Sequence, residues 1–238
     1  MTSTRYYPFL IFTICTSTFG LFIALLFALN PPITYENFFW RKPLVGSVFD
    51  LICILGIFAA FFPKKCSEAF HFRRKETIFT SHQTFTTSKG HHPNCKEFSA
   101  HVIHISNHTL CAACTGLLLG ALIALTGTAF YFFGGWRMEE MSFPAVLIGV
   151  IGVTLGFFQI KSRGFIRMLL NIFFVLGAFL ILAGIDELTQ SLFLDLFLII
   201  LIVFWVLTRI QLSRWDHWRI CSSCKSPCEV QEAKKNWG

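Results

Sequence analysis

Six stretches of this chain are apolar over the length of a bilayer crossing: residues 8–30, 44–62, 110–133, 143–160, 168–184 and 192–209. A hydrocarbon core about 30 Å thick needs roughly 20 apolar residues per helical span. Inside it every backbone N–H and C=O must be paired within the segment, so each run reads as a helix. Composition agrees, because 54% hydrophobic residues, 29 Phe and only 14% charged positions in 238 residues lie outside the range of soluble domains. The expected fold class is an all-α polytopic membrane protein with six transmembrane helices. The first run follows Arg5 as a signal peptide would, but its apolar stretch is too long and no small-x-small cleavage pattern follows, so it is read as the first span.

Lys and Arg in the connecting segments set the orientation, since cytoplasmic loops carry the excess. With the N-terminus inside, all but Arg41, Lys42 and Arg137 of the 20 basic residues fall on the cytoplasmic side, so N-in and C-in is expected in a multi-pass protein of the cell membrane. Arg41, Lys42 and Arg137 then face outward beside Glu36, Glu139, Glu140, Asp186 and Glu187. Trp40 and Trp136 are expected at the outer interface, and Trp205, Trp215 and Trp218 at the inner one. The formal charge of +7 is accounted for by a surface facing anionic lipid headgroups, which excludes nucleic acid as the expected partner and leaves membrane lipid.

The spans read as chemically quiet. Intramembrane ionisable residues are costly and mark transport paths, and of the charged residues only Asp50 and Asp195 lie inside the runs rather than at their ends. Both lie toward the outer leaflet, where they are expected to reach water, with pairing to an outer Arg as the alternative. Gly116 and Gly120, and Gly152 and Gly156, recur at the four-residue spacing that lets helix backbones approach, within one bundle or between copies in a homo-oligomer. No catalytic string such as H-E-x-x-H, G-x-x-x-x-G-K-[ST] or G-x-S-x-G occurs.

Metal-ligand residue types are concentrated instead. All eight His, and all nine Cys except Cys15 and Cys53, fall in segments read as cytosolic, where thiols stay reduced and clustered Cys read as metal ligands or redox groups. His92-Pro-Asn-Cys95 and Cys111-Ala-Ala-Cys114 are two x₂ pairs with 15 residues between them, the spacing of a zinc ribbon with His in the first place. Two such turns facing each other supply the tetrahedron that Zn²⁺ accepts from S and N ligands. Between them, His101-Val-Ile-His-Ile105 is rich in β-branched residues and Ser106-Asn107 suits a turn before Thr109-Leu110, so a small zinc-ribbon-like β-hairpin is expected between helices 2 and 3. The favoured ligand set is His92, Cys95, Cys111 and Cys114, with His91, His101, His104 and His108 as alternates for the nitrogen. Zinc is the expected ion, and iron occupies similar Cys-rich tetrahedra.

The tail carries a second group, His217, Cys221, Cys224 and Cys228. It forms its own site, draws a ligand from Cys66, His71 or His82, or joins Cys111 and Cys114 in a four-Cys site through Cys221 and Cys224. The spacing leaves these pairings open.

Cys111-Ala-Ala-Cys114-Thr-Gly116, continued to Gly120, resembles the C-A-x-C-[TS]-G-x-x-x-G signature of an uncharacterised family of prokaryotic predicted membrane proteins. His91-His92-Pro93-Asn94-Cys95 is similar to the H-H-P-x-C form in its archaeal-looking members. The likeness covers residues 88–122, has Ala113 where many members carry Arg, and implies a site without implying an activity.

The organisation that follows is helices 1–2 over 1–62, a cytosolic loop with the hairpin over 63–109, helices 3–6 over 110–209, and a Cys-rich cytosolic tail over 210–238. Three functions fit it. The first is an assembly, regulatory or scaffold subunit whose closed four-ligand metal site docks a partner protein. The second is a membrane thiol oxidoreductase using Cys111 and Cys114 at a helix N-terminus. The third is a transporter or metal-handling protein, which the quiet spans disfavour.

Overall fold

The computed structural model describes residues 3–32, 38–61, 101–105 and 108–223. Helix α1 (Ser3–Leu29) and helix α2 (Arg41–Phe61) come first. Strands β1 (Val102–Ile105) and β2 (His108–Cys111) form an antiparallel hairpin in which Val102 pairs with Cys111 and Ile105 with His108. This hairpin stands where the β-branched residues place it. Helix α3 (Ala112–Thr128) follows β2 without a break and ends in a π-helical turn, Ala129–Phe133. Helix α4 (Ser142–Phe157), helix α5 (Gly164–Thr189) and helix α6 (Leu192–Ser223) complete the fold.

Six helices are long and apolar enough to cross a membrane: Pro8–Leu29, Arg41–Phe61, Ala112–Phe133, Glu139–Lys161, Gly164–Thr189 and Leu192–His217. At 1.5 Å per residue the 21 residues of α2 extend about 31 Å, enough for the hydrocarbon core. Large apolar side chains such as Phe12, Phe19, Phe58, Ile151 and Ile200 cover the outside of the bundle. That surface is expected where lipid rather than water surrounds a protein.

α5 is the most buried of the six helices and α2 the least. Glycine explains why α5 is so closely surrounded. A Cβ on Gly149 or Gly152 of α4 would stand 2.6 Å from the carbonyl oxygens of Gly177 and Phe173, and one on Gly177 would stand 2.6 Å from Gly149 O. Gly116 and Gly120 of α3 press in the same way against Met168, Asn171 and Ile172 of α5. The small-residue faces are therefore used inside the bundle. Among glycines of the described helices, Gly56 in α2 faces open space.

α1 packs antiparallel to α6, where Ser17 Oγ donates to Thr208 Oγ1 at 2.8 Å and Trp205 Nε1 donates to Ser17 O at 3.3 Å. Trp205 is fully buried. This corrects its expected interfacial place: α6 continues to Ser223, which puts Trp205 midway along the span Leu192–His217.

The end at which α1 begins and α6 finishes is called the near end below, and the opposite one the far end. The turn from α5 to α6 lies at the far end and is tight, with Gln190 in the left-handed region at φ 49. The hairpin, Cys111 and Cys114 lie at the near end.

Candidate functional site

At the near end, β2 delivers Cys111 to the start of α3 as its extended N-cap residue, φ −70 and ψ 116, and Cys114 follows one turn in. Cys111 is buried and Cys114 half-buried. Because Gly116 lets α3 press onto α5, both cysteines come close to a buried polar chain. Gln159 Oε1 and Arg167 O each accept from Asn171 Nδ2 at 2.6 Å. Asn171 Oδ1 in turn accepts from Arg209 Nε at 3.1 Å and Arg209 Nη2 at 2.7 Å. The Arg209 guanidinium is within electrostatic reach of Cys114 and Cys111. Among the described residues no carboxylate pairs with it.

A second chain of contacts ties the hairpin to the end of α6. Arg167 is 1% exposed, and its Nη1 meets His101 Nε2 at 3.0 Å while its Nη2 donates to Asp216 Oδ2 at 3.0 Å. A guanidinium only donates, so His101 Nε2 accepts and the neutral ring keeps its proton on Nδ1. In that arrangement His101 has no lone pair left for a metal, which argues against it as the alternate nitrogen. Asp216 also accepts from Arg219 Nη2 at 2.9 Å. The His217 ring stands edge-on to His101 with centroids 5.4 Å apart.

These contacts bring together members of both ligand groups read from the sequence. Cys111 and Cys114 from the first, and His217 from the second, belong to one polar patch of the near end. Cys221 lies on α6 one helical turn beyond His217. His92, Cys95, Cys224 and Cys228 lie outside the described residues, as do Cys66, His71, His82 and His91. Among the described residues no three of His, Cys, Asp and Glu are close enough to share an ion.

Of the ligand set read from the sequence, Cys111 and Cys114 are the members among the described residues. A buried cation whose side-chain hydrogen bonds go to an amide oxygen, with no carboxylate among the described residues, is poorly compensated. One net negative charge near Arg209 would balance it, and the first turn of a helix also favours thiolate.

The far end holds a larger buried ionic cluster. Arg41 opens α2 at 4% exposure, and its Nη1 donates at 2.5 Å both to Asp186 Oδ1 of α5 and to Asp195 Oδ2 of α6. Both aspartates are wholly buried. Lys42 Nζ is 3.2 Å from Glu187 Oε2, 3.4 Å from Asp186 Oδ2 and 4.2 Å from the centre of the Tyr131 ring. Tyr131 OH reaches Asp186 Oδ2 at 2.7 Å and Glu187 Oε2 at 2.9 Å. Arg137 closes the rim at 3.4 Å from Glu187 Oε1. The π turn that ends α3 carries Tyr131, the kind of helix irregularity often found at functional sites.

This cluster corrects the reading of quiet spans. Arg41, Lys42, Asp186 and Glu187 are expected in water-facing connections, and Asp195 at an interface reaching water or, as the alternative, paired to an outer Arg, and that pairing is found with Arg41. The helices instead run past the apolar stretches and bury these charges against each other. Arg167 and Arg209, expected in a cytosolic loop and tail, are also buried at the near end, Arg167 against Asp216 and Arg209 against the Asn171 amide oxygen. The usable signal was the opposite-signed charges that the positive-inside reading had already put on one face.

No protein-family model matches the chain, and comparison with curated proteins and with solved structures also finds no match. The likeness to the prokaryotic membrane-protein family therefore rests on the motif residues between 88 and 122 alone.

Proposed function

We propose that this chain is a multi-pass protein of the cell membrane, with both ends cytosolic, that carries a structural zinc site on its near end and serves as an assembly, regulatory or scaffold subunit. One observation carries the reading: Cys111 and Cys114 lie within electrostatic reach of Arg209, a buried guanidinium with no carboxylate partner among the described residues. Zn²⁺ held by three thiolates and one neutral imidazole has one net negative charge, which Arg209 offsets. His92 and Cys95 complete that set from the preceding loop. Such a closed site has no open position for a substrate, and its role is to hold the loop against the bundle. The surface fixed in this way is what a partner protein would meet.

A second pairing is favoured by a separate observation, the packing of His217 on His101 at the hairpin's foot. In this pairing the tail supplies Cys221 and Cys224 to Cys111 and Cys114.

Metal analysis of the purified protein with thiol titration tests both. Bound zinc, with Cys111 and Cys114 protected from thiol reagents until a chelator removes the metal, is the expected result. Loss of that zinc in Cys95→Ser supports the first pairing, and loss in Cys224→Ser the second. Metal-free protein in which Cys111 and Cys114 cycle between dithiol and disulfide overturns the proposal in favour of thiol redox chemistry.

A further inference from the structure

The far-end cluster does not balance as drawn. Arg41 and Lys42 face three largely buried carboxylates, Asp186, Glu187 and Asp195, whereas Arg137 is 64% exposed at the rim and is screened by solvent. Oxygen by oxygen, Asp186 uses Oδ1 for Arg41 and Oδ2 for Tyr131 and Lys42, and Asp195 uses Oδ2 for Arg41. Asp195 Oδ1 is buried and has no hydrogen-bond partner among the described residues. One oxygen of each aspartate lies 2.5 Å from the same Arg41 Nη1, which brings the two carboxyls together.

From this geometry we infer that Asp186 and Asp195 form a proton-binding site, holding a single proton between them as an acid–carboxylate pair clamped by Arg41. Three largely buried carboxylates against two buried cations leave one negative charge in excess, and burial favours its neutralisation. One proton, taken from water at the rim where the Lys42 side chain is 28% exposed, makes the buried cluster neutral. A metal cation is the poorer fit, because Asp195 Oδ1 is the one carboxylate oxygen of the three that is left without a partner and such an ion needs several. Among the described residues the groups facing the pair are Arg41 and Lys42 of α2, Tyr131 of α3, Arg137 of the following turn and Glu187 of α5. Glu139 and Glu140, before α4, are exposed.

Infrared spectroscopy of the whole protein in detergent or lipid at neutral pH tests this directly, since a protonated carboxyl has its own C=O stretch. The expected result is one such band that shifts in D₂O, disappears in Asp195→Asn and survives in Asp50→Asn, the other carboxyl with a buried oxygen lacking a partner. Asp195→Asn, which has the shape of the neutral acid, should also keep the melting temperature within a few degrees of the parent. Absence of the band from the parent protein overturns the inference whether or not any variant folds. Its loss in Asp50→Asn, or a sodium-dependent melting temperature in its place, overturns it equally.

Discussion

Arg41 shows how much one side chain can hold at a bundle end. Its single Nη1 joins α2 to both α5 and α6, through partners 145 and 154 residues away in sequence. Removing one member of a buried pair leaves an uncompensated charge, a loss of about 3–5 kcal/mol. Arg41→Met is therefore expected to lower unfolding stability in detergent by that amount, leaving Asp186 and Asp195 to face each other. Arg209→Lys makes a different point. An ammonium cannot reproduce the two parallel donors that reach Asn171 Oδ1. It should keep the charge beside Cys111 and Cys114 but loosen its placement, so zinc is retained more weakly against a chelator than in the parent and more strongly than in Arg209→Leu. Equal zinc retention in all three proteins would remove Arg209 from the account.

At the scale of elements, glycine decides which helices touch. Gly149→Val forces a side chain toward Gly177 O, where a Cβ alone would stand at 2.6 Å, and should cost about 1–3 kcal/mol or more as α4 is pushed off α5. Gly56→Ala meets nothing within 4 Å and should change stability by less than about 1 kcal/mol. Thermal unfolding of the two variants checks both, and similar losses would mean that the close approach of α4 to α5 is not what these glycines serve. The number of helices and the place of the hairpin were legible beforehand. Uninterrupted apolar runs allow one geometry in lipid, and Val102-Ile103-His104-Ile105 is a strand-forming string ahead of a turn. The helix ends were not legible. Asp186, Glu187, Arg167 and Arg209 each end an apolar run when weighed alone, because their cost is counted against water and hydrocarbon. Partners more than 30 residues away, such as Asp216 for Arg167 and Asn171 for Arg209, remove that cost, and no local pattern announces them.

Over the whole molecule the two ends differ in chemistry. The far end closes on paired ions, with the aromatic side chains of Trp40 and Trp136 exposed at its rim. The near end gathers thiols, imidazoles and arginines around the hairpin. The proposed orientation puts the near end in the cytosol. Glu140→Cys, exposed at the far end, is then expected to react with a membrane-impermeant maleimide in intact cells. A cysteine replacing the exposed Arg219 side chain near the end of α6 should react only after permeabilisation. The reverse pattern would invert the protein and move its cysteines out of the reducing compartment. The contacts of α3's opening to α5, such as Gly116 against Met168 and Asn171, join segments far apart in sequence and have no local signature there.

The sequence separation across the far-end clasp also has a consequence for how the chain is made. During synthesis α2 enters the bilayer long before Asp186 and Asp195 exist, so Arg41 and Lys42 have no buried partners and belong at the membrane surface, in water. Their final seating waits for the α5–α6 hairpin, whose tight turn at Gln190 delivers both aspartates almost at once. The closing of the bundle is thus a late event in biogenesis, and a nascent chain stopped before residue 186 has a second helix still free to slide.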